Sequence, residues 1–233
     1  MLVRQIVREH AFMTIGYTLL LSINFATSIF FWPELRANLN EFANIAKIIP
    51  VPIVQSLVYM VEVHGYWAYF GFQQLFKGAG VVGMVAAALL GSLMVAREVD
   101  NRTAEFLFSR PISRLRLFMV RWTTGVCLAV GPFVLTTFLG WMASSLVDES
   151  LPFQQVGIAT AYLSLYIVMI FTVSLALSTF ADHQLKPALI VIGIMLVNLA
   201  IYMVKTLWNY SAYKLIDLDR IIPIASEVYP VWP

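Results

Sequence analysis

Charge is scarce in this sequence: 12% of its 233 residues are Asp, Glu, Lys or Arg, against about 25% in an ordinary soluble domain. With 60% hydrophobic residues and a mean hydropathy of +0.80, that scarcity excludes a solvated globular domain and defines an integral membrane protein. Cysteine is nearly absent as well. The single Cys127 permits no intrachain disulfide and fixes no redox compartment. No GxxxxGKS or GxxxxGKT run occurs, so the chain carries no phosphate cradle of its own. A net charge of +2 is too small and too localised to suggest a nucleic-acid partner. His10, His64 and His183 lie far apart, without an HExxH pattern or a cysteine partner. They read as solvated or interfacial side chains, and no metal site is expected.

What is present is long apolar runs. Spanning a hydrocarbon core takes roughly 20 apolar residues in a helix, because backbone groups cannot stay unpaired in lipid. Five windows qualify, at 11–31, 78–96, 122–147, 156–180 and 187–204, and none contains Asp, Glu, Lys or Arg. The first ends in Phe30, Phe31 and Trp32 rather than in a small-residue cleavage site, so it reads as a retained helix. The expected fold is all-α, a polytopic bundle of five spans forming one domain over 1–233.

Residues 1–10 place Leu2, Val3, Ile6 and Val7 at helical spacing between Arg4, Arg8 and Glu9, which predicts an amphipathic interfacial helix. The segment 33–77 is too apolar for a hydrophilic loop. Over 34–49, Leu35, Leu39, Phe42, Ile45 and Ile49 share one face, which predicts an amphipathic helix ended by Pro50 and Pro52. The aromatic cluster that follows, Tyr59 to Phe72, suits the headgroup level, and this external stretch either dips into the outer leaflet or extends the second helix outward. The second span carries Gly80, Gly83, Ala87 and Gly91, small residues that invite close helix packing, including packing against a second subunit. Gly131 and Pro132 predict a kink in the third. Polar groups inside the spans, chiefly Tyr17, Asn24 and Asn198, are candidates to line a substrate path. Such groups more commonly join helices, at roughly 1 kcal/mol or less per hydrogen bond.

Arginine is concentrated in one place. The run AREVDNRTAEFLFSRPISRLRLFMVRW, 96–122, holds six arginines between the second and third spans, whereas 148–152 has two acids and no base. The positive-inside rule therefore places the N-terminus and the arginine-rich loop in the cytoplasm. Topology alone needs no acids, yet Glu98, Asp100 and Glu105 alternate with Arg97, Arg102 and Arg110. A helical stretch over 103–108 is followed by Pro111, then by Ser113 as N-cap of the next helix. A short amphipathic helix held between two spans suits docking to a soluble partner, with Phe106 and Leu107 as anchors and the charges setting register.

The stretch AREVDNRTAEFLFSRPISR, followed by Arg121, resembles the first cytoplasmic loop of type-2 ABC transporter permeases. Glu98, Thr103, Glu105, Leu107, Ser109, Pro111, Ile112, Ser113 and Arg114 match its pattern; Arg102 stands where glycine is usual and Arg121 where lysine is usual. SLALSTFADHQLKPALIVIG, 174–193, is similar to the family's loop between the fourth and fifth spans. The resemblance implies the permease subunit of an ABC exporter in a bacterial cytoplasmic (inner) membrane. It implies a second permease, identical or related, and separate ATPase subunits that bind ATP and Mg, this chain holding no cofactor. Glu98, Asp100, Thr103, Glu105, Phe106, Leu107, Arg110, Pro111 and Arg114 would form the ATPase-coupling surface. The family has six spans as a rule, so a last helix is expected beyond Pro233 unless the five-span form is real.

Two other classes remain on the residues alone. A membrane-embedded enzyme needs reactive groups in its spans, and the five windows hold no charged residue. A non-ATP channel or assembly scaffold accounts for the spans but not for the acid-bearing loop.

The topology is checked with Asn101→Cys in a Cys127→Ala background. An impermeant maleimide should label it only after the cells are permeabilised, and labelling in intact cells would overturn the assignment.

Overall fold

The structure is a computed structural model and describes residues 2–48, 52–100, 113–204 and 206–225. Among them there is no strand, and five helices are long and apolar enough to cross a membrane. Helix α1 covers Leu2–Ala37, α2 Leu39–Ile48 and α3 Pro52–His64. Helix α4 occupies 66–100, α5 covers Arg114–Ala143, α6 Phe153–Ser178, α7 Lys186–Met203 and α8 Leu218–Ala225.

The amphipathic stretch at 1–10 and the first span form one helix. At about 1.5 Å per residue, the 36 residues of α1 reach about 54 Å, well beyond a hydrocarbon core of about 30 Å, so its ends project. The helix expected over 34–49 is divided at Asn38, whose side-chain amide donates to the Glu34 carbonyl at 3.1 Å. Gly65, at φ +58°, separates α3 from α4 in a conformation that L side chains rarely adopt. From Tyr66 the chain enters the second span directly. The aromatic cluster is partly turned inward: Trp32 stacks within 5.0 Å of Tyr66 and 5.1 Å of Tyr69, and Tyr66, Tyr69 and Phe70 are buried.

Helix α4 is the centre of the bundle, with 67% of its most apolar window buried against 17% for α1. It packs on α6 and α7, while α5 lies between α1 and α6. Its first half is unusual, because π-helical turns occupy Gly71–Phe76 and Gly78–Gly83. Side chains from elsewhere bond to this stretch: Asn24 Nδ2 donates to the Gln73 carbonyl at 2.7 Å and the Tyr213 hydroxyl to the Gly80 carbonyl at 2.9 Å. Burial pushes the Tyr213 phenol above its ordinary pKa, which keeps the donor protonated.

The small residues of α4 are covered within the chain. A Cβ at Gly80 would stand 2.6 Å from Ile216, and at Gly83 3.1 Å from Ile167. At Gly91 it would meet the Phe171 carbonyl at 2.6 Å and Ser174 Cβ at 2.9 Å. Ala87 is fully buried. The row thus seats α6 and the 212–216 turn, and is not a free face for a second subunit.

At Gly91 the obstacle is backbone, which cannot rotate away. Gly91→Ala should destabilise the protein by about 1–3 kcal/mol in mixed-micelle denaturation. Ser174→Ala, which removes only the 2.5 Å bond to the Ala88 carbonyl, should cost about 0.6 kcal/mol. Equal costs would show that close approach at Gly91 does not hold α4 on α6.

Candidate functional site

The first turns of α1, the end of α4, the start of α5 and the 179–185 turn share one end of the bundle, the loop face. Residues 101–112 lie outside the described residues, and with them Thr103, Glu105, Phe106, Leu107, Arg110 and Pro111. The side chains of Glu98 and Arg114 lie outside them too, although their backbones belong to α4 and α5. The structure does define how the two helices that flank this segment are held.

Helix α4 is tied at its last turns. The Asp100 carboxylate accepts from the Gln184 amide at 3.5 Å and stands 4.0 Å from His183 Nε2. One helical face earlier, the Ser92 hydroxyl donates to the Gln184 carbonyl. Residue 184 is thus gripped through both its N–H and its C=O. The turn is shaped by its own contacts: Leu185 N–H donates to His183 Nδ1 at 3.3 Å, and Lys186 bonds Asp182 at 2.6 Å. That hydrogen bond holds the Asp182 carboxyl below the ordinary range. On the other side, Arg97 donates to the Glu9 carbonyl of α1 at 3.5 Å.

Helix α5 is fixed in a different way. Ser113, in extended conformation, caps its first turn by accepting from the Arg116 amide at 3.3 Å. Two turns further, Arg121 is only 6% exposed and its guanidinium donates to the Met94 carbonyl of α4. A buried guanidinium needs such partners, since an uncompensated charge in low dielectric is costly. Trp122 Nε1 donates to Thr172 of α6 at 3.0 Å. The two helix ends that flank 101–112 are consequently both anchored to the bundle and, through Arg121, to each other.

The sequence pointed to Asp100 and to the cap at Ser113 but missed the roles of Ser92, His183 and Gln184. These meet Asp100 only across long stretches of chain, and no local spacing announces them. Arg121 was read as a base opening a span, and its carbonyl partner had no sequence signal.

Tyr17, Asn24 and Asn198 are not brought together. Tyr17 is buried on α1, with no hydrogen-bond partner for its hydroxyl among the described residues. Asn24 serves the Gln73 carbonyl. Asn198 holds the segment after α7, accepting from the Ala212 amide at 3.1 Å while its carbonyl accepts from Ser211 at 2.7 Å. Among the described residues, no three His, Cys, Asp or Glu gather as a metal site would require.

Four apolar spans packed about a fifth that is buried and polar-tied define a polytopic helical membrane protein. A family model described as ABC-2 family transporter protein matches residues 4–215. The chain belongs to that family, in which its part is that of the permease. No curated protein and no solved structure matches it.

Asp100→Ala removes the acceptor of the Gln184 amide. Hydrogen exchange over 179–186 should accelerate about 2- to 10-fold, as expected for a bond of about 0.5–1.5 kcal/mol, while exchange across α6 stays unchanged. Unaltered exchange at 179–186 would show that α4 and this turn are not coupled through Asp100.

Proposed function

We propose that this chain is the membrane-spanning subunit of an ATP-driven exporter, coupling hydrolysis by a separate ATPase subunit to movement of a substrate across a bacterial cytoplasmic membrane. On this reading the loop face is cytoplasmic, the ATPase docks on 97–121, and two permease subunits enclose the path. The observation that carries it is the suspension of an acid- and arginine-bearing segment between two anchored helix ends, in a chain of the ABC-2 family.

The mechanism follows from that suspension. A soluble subunit that changes shape on binding or hydrolysing ATP displaces the loop. Because α4 is fixed to 179–185 and α5 to α4, the displacement reaches the membrane helices as a unit rather than being lost in a slack connection. No chemical step occurs in the permease. Its contribution is to be stabilised differently by the two ATPase states, which is what shifts a two-state equilibrium. Phe106 and Leu107 are the anchors for docking, with Glu98, Asp100, Thr103, Glu105, Arg110, Pro111 and Arg114 setting register. The second subunit must use a face other than the small-residue row of α4. The lipid-exposed side chains Phe12, Ile15, Leu19 and Ile23 of α1, and Leu189, Ile190, Ile194 and Val197 of α7, provide two such faces.

The decisive experiment purifies the tagged chain with its ATPase subunit, identified by its phosphate-loop motif, and measures subunit ratio, native mass and ATPase activity. Phe106→Ala should weaken docking by about 2 kcal/mol or more and abolish stimulation of the ATPase, whereas Asn101→Ala should do neither. Unchanged docking and stimulation in Phe106→Ala would remove this loop from the coupling. A native mass showing a single membrane subunit would reject the pair.

A further inference from the structure

In the half of the bundle away from the loop face, near its middle, the π-helical stretch of α4 carries a cation that the sequence windows placed outside any span. Lys77 lies within the membrane-length helix Tyr66–Arg97. Helical side chains lean toward the N-terminus of their helix, and accordingly Lys77 Nζ reaches back one turn to donate to Gln73 Oε1 at 2.6 Å. The Gln73 amide in turn hydrogen-bonds the Tyr69 phenol, which donates to the Ser28 carbonyl of α1 at 2.9 Å. Among the described residues no carboxylate lies within ion-pair distance of Lys77. A half-buried ammonium held by a neutral amide is under-compensated at this depth, and charged groups placed so in a membrane protein mark binding sites as a rule.

Gln73 and Tyr69 also form one wall of an apolar cavity of about 360 Å³ between the far end of α1, the α2–α3 hairpin and α4. Its remaining walls include Leu35, Leu39, Leu57 and Val61. Size and lining match a small-molecule site, mostly hydrocarbon with a few convergent polar groups. Glu34 lines the cavity too, ten residues along α1 from Asn24, whose amide marks the Gln73 end. That separation is about 15 Å. The cavity is therefore polarised, with an ammonium behind one end and a carboxylate at the other.

We propose that this cavity binds a single-chain anionic amphiphile, its phosphate or carboxylate head taking Lys77 from Gln73 and its acyl chain lying along the α2–α3 wall. The uncompensated cation selects a negative head, Glu34 disfavours the reversed orientation, and the volume admits one chain rather than two. The site belongs to this chain alone and does not depend on an ATPase or on transport.

The test is equilibrium binding of tritiated 1-oleoyl-lysophosphatidic acid to the purified chain in phosphatidylcholine nanodiscs, with mono-oleoylglycerol as the ligand that lacks only the phosphate. The lysophosphatidic acid should bind at least 10-fold tighter. Lys77→Met should remove that preference, Lys77→Arg should keep it, and Val58→Trp, which fills the cavity, should weaken both ligands at least 10-fold. Lys186→Met, an equal loss of charge on the loop face, should change nothing. Equal affinity for the two ligands, or a preference that survives Lys77→Met in protein of unaltered elution volume, would overturn the head-group assignment. Binding that survives Val58→Trp would overturn the cavity.

Discussion

Backbone hydrogen bonding in a solvent that offers none is the constraint on which this structure rests. In hydrocarbon an unpaired N–H or C=O costs several kcal/mol, so the chain has only closed helices available to it. Where the α pattern of α4 is altered, side chains from other elements stand at the altered place. Asn24 and Tyr213 bond two carbonyls of the π-helical stretch of α4, those of Gln73 and Gly80. Few polar residues occur in the spans, and most of those resolved bond to main-chain oxygen rather than to one another.

Association of the helices needs a separate explanation, because lipid tails are as apolar as leucine and burial alone drives little. Close approach replaces it. Gly91 lets the backbones of α4 and α6 approach closely, and Ser174 adds a bond to the Ala88 carbonyl in the same contact. At the loop face the ties are hydrogen bonds between charged side chains and main chain, from Arg121 and Arg97 to carbonyls and from the Gln184 amide to Asp100. At the far face Glu149 accepts from both Trp32 and Arg36, at 3.1 and 3.2 Å, and clasps α1 to the connection before α6. Close packing holds the middle of the bundle with a few hydrogen bonds to main chain, and charged side chains take part in the ties at its ends.

Those two kinds of force differ in how far they show in sequence. Long uncharged runs are local, so five spans were legible from hydropathy alone. The outward extension of α4 was not, because Gln73, Gln74 and Lys77 break the hydropathy window while the helix continues through them; Gln74 is fully buried and donates to Thr136 at 3.4 Å. The division at Asn38 depends on one side-chain bond that periodicity does not register. In the loop, alternating acids and arginines are a local pattern and were visible. The grip on residue 184 joins positions 84 and 92 residues apart, and His183, solvated as its polar turn suggests, gives no local signal of its approach to Asp100.

On the proposed reading, the same contrast bears on how motion crosses the bilayer. From Met84 to Asp100 helix α4 is regular, seated on α6 through Gly91 and tied at its end, so it transmits displacement as a rod. From Gly71 to Gly83 it is π-helical, with i→i+5 bonds and carbonyls also served by α1 and by Tyr213. Such turns are higher in energy than α-helix and occur where function requires them. Tightening a π turn to α exchanges its i→i+5 bonds for i→i+4 bonds and rotates the residues beyond it, and it requires Asn24 and Tyr213 to release their carbonyls. The far half of α4, which also carries Lys77 and one wall of the apolar cavity, is thus the less regular half of the helix that a push at the loop face would meet.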